Sequence, residues 1–199
     1  MAIGTGFEGV LAAAQRGDRA ATEVLYRDLA PLVIGYLRAN GAREPEDLAS
    51  EVFVAMLRGI GRFTGEESGF RSWILTIAHR RLMDEFRRRG RRPEEPLEPH
   101  EMRDRPVPTA ASTESDALEH LASAGVLDTL ATLTPDQRAV ITLRILADLP
   151  IKDVAEILGK PVTAVKSLQH RALATLARSL AAGDDLTDSG IETRLSSDH

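Results

Sequence analysis

The sequence predicts an all-α protein of two small helical domains joined by a flexible acidic linker, and three observations carry that prediction. Long segments rich in Ala, Leu, Arg and Glu are separated by glycine-containing breaks, without the alternating β-branched runs of strands. Residues 93–116 hold five of the ten prolines, seven acidic against two basic residues and few bulky apolar groups, too little to offset the entropy of ordering them. Beyond them a short helical pattern, a Gly-Lys-Pro turn and a longer helical pattern take the form of a helix-turn-helix.

Each element has its own start or stop signal. Helices are expected at about 7–16, 19–39, 46–60 and 70–89. Gly17-Asp18 separates the first two, Asn40-Gly41 ends the second, Pro45 suits a first helical turn, and Gly61, Gly65 and Gly69 mark the loop before the fourth. The first domain spans 1–92 and the linker 93–117. The second domain, 118–182, places apolar residues at Leu127, Leu130, Leu133, Val140, Ile141, Leu143, Ile145 and Leu146. A short helix follows over Ile151–Leu158. Gly159 fits the left-handed position that ends it, Pro161 can open the next helix, and that helix runs from about Val162 to Leu180. The polar tail, 183–199, is expected to be disordered.

Composition excludes several classes. With 43% hydrophobic and 28% charged residues the 199-residue chain can bury a core and stay in solution, and with no cysteine it builds neither disulfides nor thiolate metal sites. No basic segment leads into an apolar run, and none approaches the ~18 apolar residues of a membrane span, so a cytoplasmic protein without membrane insertion is expected. The net charge of −5 argues against a nucleic-acid partner only on average, because residues 71–92 carry eight basic against two acidic residues.

That basic segment is the strongest candidate for chemistry. In ILTIAHRRLMDEFRRRGRR, Ile74, Ile77, Ala78, Leu82 and Phe86 recur at helical spacing as a buried stripe, while His79, Arg80, Arg81, Arg87 and Arg88 gather where phosphate oxygens could be met. Phe63, Phe70 and Trp73, three of only eight aromatic residues, lie beside the glycine loop; aromatic rings with arginines suit unstacked bases, although two of the three are expected to serve mainly in packing. In DLASEVFVAML, Asp47 and Glu51 share a helix face with Ser50, while Leu48, Val52 and Leu57 turn elsewhere. No histidine or third carboxylate joins the pair at ligand spacing, so a partner-docking or solvated face is favoured over a metal or acid–base site. In the second domain Val165, Leu168, Ala172 and Leu176 face a core, leaving Lys166, Ser167, His170 and Arg171 near the N-terminus of the candidate recognition helix. No phosphate loop, Ser/His/Asp arrangement or HExxH pattern occurs, and neither an enzyme nor a cofactor is expected.

Taken together, the ordered motifs resemble the extracytoplasmic-function group of the sigma-70 family, the dissociable promoter-specificity subunits of bacterial RNA polymerase. Residues 7–92, with EDLASEVFVAML and RFTGEESGFRSWILTIAHRRLMDEFRRR, resemble region two; residues 118–181, with DVAEILG and AVKSLQHRALATL, resemble region four. The resemblance implies that Asp47, Leu48, Ser50, Glu51 and Val54 dock on the coiled coil of the polymerase's largest subunit, with the flap as a further polymerase contact. It implies that Arg62, Phe63, Thr64, Ser68, Phe70, Arg71, Trp73, His79, Arg80, Arg81, Asp84, Arg87 and Arg88 melt and hold the minus-ten element as single strand. Thr163, Lys166, Ser167, Gln169, His170 and Arg171 would read the minus-thirty-five element as duplex. The linker would run through the polymerase's positively lined channel, and an anti-sigma factor is a possible further partner. Arg80 stands where many members carry Asn, and Leu168-Gln169 where many carry Arg-Leu, so relatives do not dictate the promoter sequence. Two other readings stay open at this point: a helix-turn-helix regulator with an N-terminal sensing or dimerisation domain, and an enzyme using Asp47 and Glu51.

Overall fold

The computed structural model describes residues 3–91 and 124–195. The expected linker at 93–117 and the start of the second domain lie outside the described residues. Four helices form the first unit: α1 (Phe7–Gln15), α2 (Arg19–Ala39), α3 (Pro45–Gly59) and α4 (Glu67–Arg91). Local chemistry fixes their ends. The Asp18 carboxylate accepts the Ala21 N–H at 2.8 Å, capping α2, and Pro45 starts α3 where its missing N–H costs nothing. Helix α4 begins three residues before the sequence-based boundary, because the Phe70 N–H already donates to the Glu66 carbonyl and Glu67 suits the positive end of the helix.

The second unit comprises α5 (Ala124–Ala131), α6 (Pro135–Ile145), α7 (Ile151–Leu158) and α8 (Val162–Leu195). Thr134 and Gln137 form a reciprocal capping box at α6, and Gly159 ends α7 at φ 60°, the left-handed conformation its position predicts. The α7–turn–α8 segment is the expected helix-turn-helix. The tail departs from expectation: the helix continues to Leu195 through residues read as disordered, and no proline interrupts 162–195.

One core runs through both units. Leu25, Leu29, Val33 and Leu37 of α2, Val52, Phe53 and Met56 of α3, and Ile74, Leu75, Ala78 and Leu82 of α4 join Val140, Leu143, Val154, Ile157 and Val165 of the second unit in a single buried cluster. Helix α4 packs on α7 and α2 on α6, although the proline-rich linker suggested two domains with no fixed mutual orientation. Full burial of apolar side chains stabilises by roughly 1.5–3 kcal/mol each, which favours this closed packing. A polar bond is sealed inside it. The buried Asn40 Nδ2 donates to the Tyr36 carbonyl at 2.8 Å and to Thr142 Oγ1, 102 residues away, at 2.9 Å.

Candidate nucleic-acid interfaces

Helix α3 turns a mixed acidic and apolar face to solvent. Asp47, Ser50, Glu51 and Val54 are exposed as expected, and the Ser50 hydroxyl donates to the Glu46 carbonyl at 3.0 Å. The two leucines expected to turn away from that face part company. Leu48, which the helical spacing turns away and only the resemblance places on the docking face, is 5% exposed and belongs to the core, while Leu57, also expected to turn away, is 46% exposed. The α3–α2 contact fixes the rotation of the helix, which the local pattern left ambiguous. Exposed Tyr26 of α2, its ring 4.6 Å from Phe53, is an apolar surface residue the sequence reading missed.

The loop between α3 and α4 is built around aromatic rings. Phe63 lies 5.0 Å from Phe70 and 5.4 Å from Trp73, and Phe70 meets Phe7 of α1 at 5.6 Å. Glycine is required beside them: a Cβ on Gly59 would stand 2.9 Å from the Trp73 ring, and Gly65 holds φ 144°. Arg62, Thr64 and Ser68 are exposed, and Phe63 and Trp73 half-buried. Two candidates sit deeper than the rest. Phe70 is 1% exposed and packs in the core, so its ring offers no face to a base in this conformation. Arg71 is engaged by Glu67 and Asp28, each at 3.4 Å. Burial pushes the Asp28 carboxyl above the usual range, and the Arg71 guanidinium opposes that rise.

Along α4, Arg80, Arg87 and Arg88 are exposed at spacings of seven and eight, which puts them on one face. Arg87 pairs with Asp84 at 2.8 Å, and Arg81 reaches Glu51 of the α3 face at 3.7 Å. His79 sits differently from the basic face on which it was expected. Its Nδ1 shares a 2.9 Å hydrogen bond with the Tyr36 hydroxyl, and burial holds its imidazole below the usual range. Asp136 opposes that shift and Lys160 adds to it, so the second unit reaches the field at His79.

Helix α8 presents its candidates plainly. Thr163, Lys166, Ser167, His170 and Arg171 are exposed and Gln169 partly so, while Val165 and Ala172 are fully buried beneath them. Lys160 pairs with Asp136 at 2.8 Å and ties the turn to α6. Among the described residues no group of three or more His, Cys, Asp or Glu could hold a metal ion, and no helix is long and apolar enough to cross a membrane.

Comparison with known proteins matches these two units separately. Residues 25–92 match the family model described as Sigma-70 region 2, and residues 124–176 match Sigma-70, region 4. The chain is 37% identical over 173 residues to the ECF RNA polymerase sigma factor BldN of Streptomyces coelicolor, the match covering 84% of this chain and 63% of BldN. It is 34% identical to the ECF RNA polymerase sigma factor ShbA of Streptomyces griseus, covering 84% of this chain and 91% of ShbA. The RNA polymerase sigma-H factor of Pseudomonas aeruginosa is 30% identical, with 83% and 89% covered. Among solved structures, CnrH in complex with the cytosolic domain of CnrY shares the fold, with a TM-score of 0.60 at 23% identity, covering 87% of this chain and 96% of CnrH.

Proposed function

The chain belongs to the extracytoplasmic-function RNA polymerase sigma factors of the sigma-70 family, and we propose that it directs the polymerase to specific promoters through three surfaces with separate tasks. The α3 face of Asp47, Ser50, Glu51, Val54 and Leu57 docks on the polymerase's largest subunit, where exposed apolar side chains among acidic ones suit a basic and apolar partner. The loop from Arg62 and the exposed arginines of α4 open the minus-ten element. Unpairing and flipping a base costs a few kcal/mol, and stacking on an aromatic ring such as Trp73 returns about 1–3 kcal/mol, with Arg80, Arg87 and Arg88 on the freed strand adding to it. The α8 face of Lys166, Ser167, Gln169, His170 and Arg171 reads the minus-thirty-five element in the major groove.

The observation that carries this reading is the pairing of a basic, aromatic-flanked helix in one unit with an exposed recognition helix in the other. The polymerase performs the chemistry and this chain supplies binding and strand opening in the cytoplasm. The acidic linker lies along the polymerase's positively lined channel, and the flap meets the second unit. An anti-sigma factor is a further protein partner and covers the same faces. Run-off transcription with purified core polymerase on genomic promoters tests the reading: specific transcripts are expected only when the chain is added. Tight duplex binding by the isolated chain with no transcript would overturn it and favour an ordinary helix-turn-helix regulator.

A further inference from the structure

We propose that residues 3–15 brace the strand-opening loop from both ends, with Gln15 as the positioning residue at its entry and Glu67 as the anchor at its exit. The bracing segment, residues 3–15, lies outside residues 25–92, where the chain matches Sigma-70 region 2 and where its anchor Glu67 sits. Its consequence for promoter opening rests on the function proposed above; the bracing itself is a property of the free chain.

The loop needs such support. Gly61 and Gly65 punctuate it, and Gly65 holds φ 144°, so the unbraced segment has a large conformational space to lose. Gln15, the last residue of α1, closes much of that space. Its side-chain amide has two N–H groups, and Nε2 donates to the Ile60 carbonyl at 3.0 Å and the Phe63 carbonyl at 2.8 Å. The Ile60 carbonyl also accepts the Phe63 N–H at 3.0 Å, so one side chain locks the turn that delivers the chain into the loop. A shorter amide cannot span both acceptors as easily, and a carboxylate would set negative charge against two carbonyl oxygens. At the other end Glu67 Oε1 and Oε2 accept the Ile3 and Gly4 N–H groups, each at 2.9 Å, while the same carboxylate pairs with Arg71. Between these points Phe7 packs on Phe70, so α1 meets the loop's aromatic cluster as well as its ends. Preorganised in this way, the loop meets a melting base without first spending binding energy on its own ordering.

Trp73, the single tryptophan, reports the brace directly, because its ring lies 5.4 Å from Phe63 and against Gly59. The experiment compares the full chain with Gln15→Met, which keeps bulk and loses both donors, Gln15→Glu, and the conservative Gln15→Asn. Three readouts are taken: acrylamide quenching of Trp73 in the free chain, affinity for core polymerase, and permanganate-detected promoter melting by the holoenzyme. Two hydrogen bonds, each carrying a few-fold factor, give about a tenfold fall in melting for Gln15→Met and more for Gln15→Glu, with Gln15→Asn between. Trp73 quenching rises in the same order, and core affinity stays within about twofold because α3 is untouched. Unchanged quenching in Gln15→Met and Gln15→Glu overturns the brace. Raised quenching with undiminished melting overturns its role in opening, and a parallel loss of core affinity reduces Gln15 to a general fold contact and overturns the proposal too. If the parent chain itself melts no promoter, the proposed function fails, and the Trp73 readout still decides the brace.

Discussion

The two units treat their candidate DNA residues in opposite ways. In the second unit the recognition-helix side chains project from a helix whose packing is finished beneath them by Val165 and Ala172, and they take little part in holding the fold. In the first, several residues that would meet DNA also hold the structure together: Phe70 is core, Phe63 and Trp73 pack on it, Arg71 ties α4 to α2, and His79 bonds Tyr36. On the proposed function the difference follows from the tasks. A duplex presents its edges ready to be read, whereas a melted strand must be met by a surface rigid enough to compete with base stacking, and rigidity requires packing. The proposed strand-opening surface is therefore sensitive to mutation in stability, and the proposed reading surface is not.

The largest expected effect breaks that contrast most sharply. Phe70→Ala should lower unfolding stability by about 3–5 kcal/mol, while Lys166→Ala should change it by less than about 0.5 kcal/mol, both read from urea titrations. Equal effects would mean that the loop aromatics are surface groups after all. Next in size is Thr142→Val, which deprives the buried Asn40 amide of its partner across the two units and should cost about 1–3 kcal/mol. Hydrogen exchange should then show faster opening along α2 and α6 than along α3.

A smaller, graded effect comes from pH. Burial holds the folded His79 imidazole below its ordinary 6.5, so between that lowered value and 6.5 the unfolded chain binds more protons than the folded one. Stability is thus fully present above 6.5 and is lost as pH falls through the lowered value. Protonation would place a cation near Lys160, with Asp136 partly compensating. His79→Gln should flatten this slope in thermal melts taken between pH 7 and pH 5; an unchanged slope would assign the pH dependence to another group.

Much of this contrast was legible in the residues. The helix-turn-helix could be located to the residue, because α7 alternates polar and apolar positions at helical spacing and Gly159 permits only a narrow set of roles. The four helices of the first unit follow from composition and breaks, α2 to the residue and the others with boundaries off by at most three residues. What the sequence could not rank was exposure among like residues. Leu48 and Leu57 differ only in which side of α3 meets α2, and Phe70 differs from Trp73 only in depth, both decided by packing across long sequence separations. A glutamine at a helix end carries no motif, and the role of Gln15 exists only once Ile60 and Phe63 are folded beside it. The contact between the units was hidden for the same reason, since Asn40 reads as a helix terminator until Thr142 faces it.

The division of labour is tested most directly by reading DNase protection at minus-thirty-five and permanganate reactivity at minus-ten on the same holoenzyme–promoter complex. Arg80→Ala with Arg88→Ala should leave minus-thirty-five protection in place and abolish reactivity at minus-ten. Lys166→Ala with Arg171→Ala should lose the protection itself. Protection and reactivity falling together in both variants would contradict the separation of reading from opening.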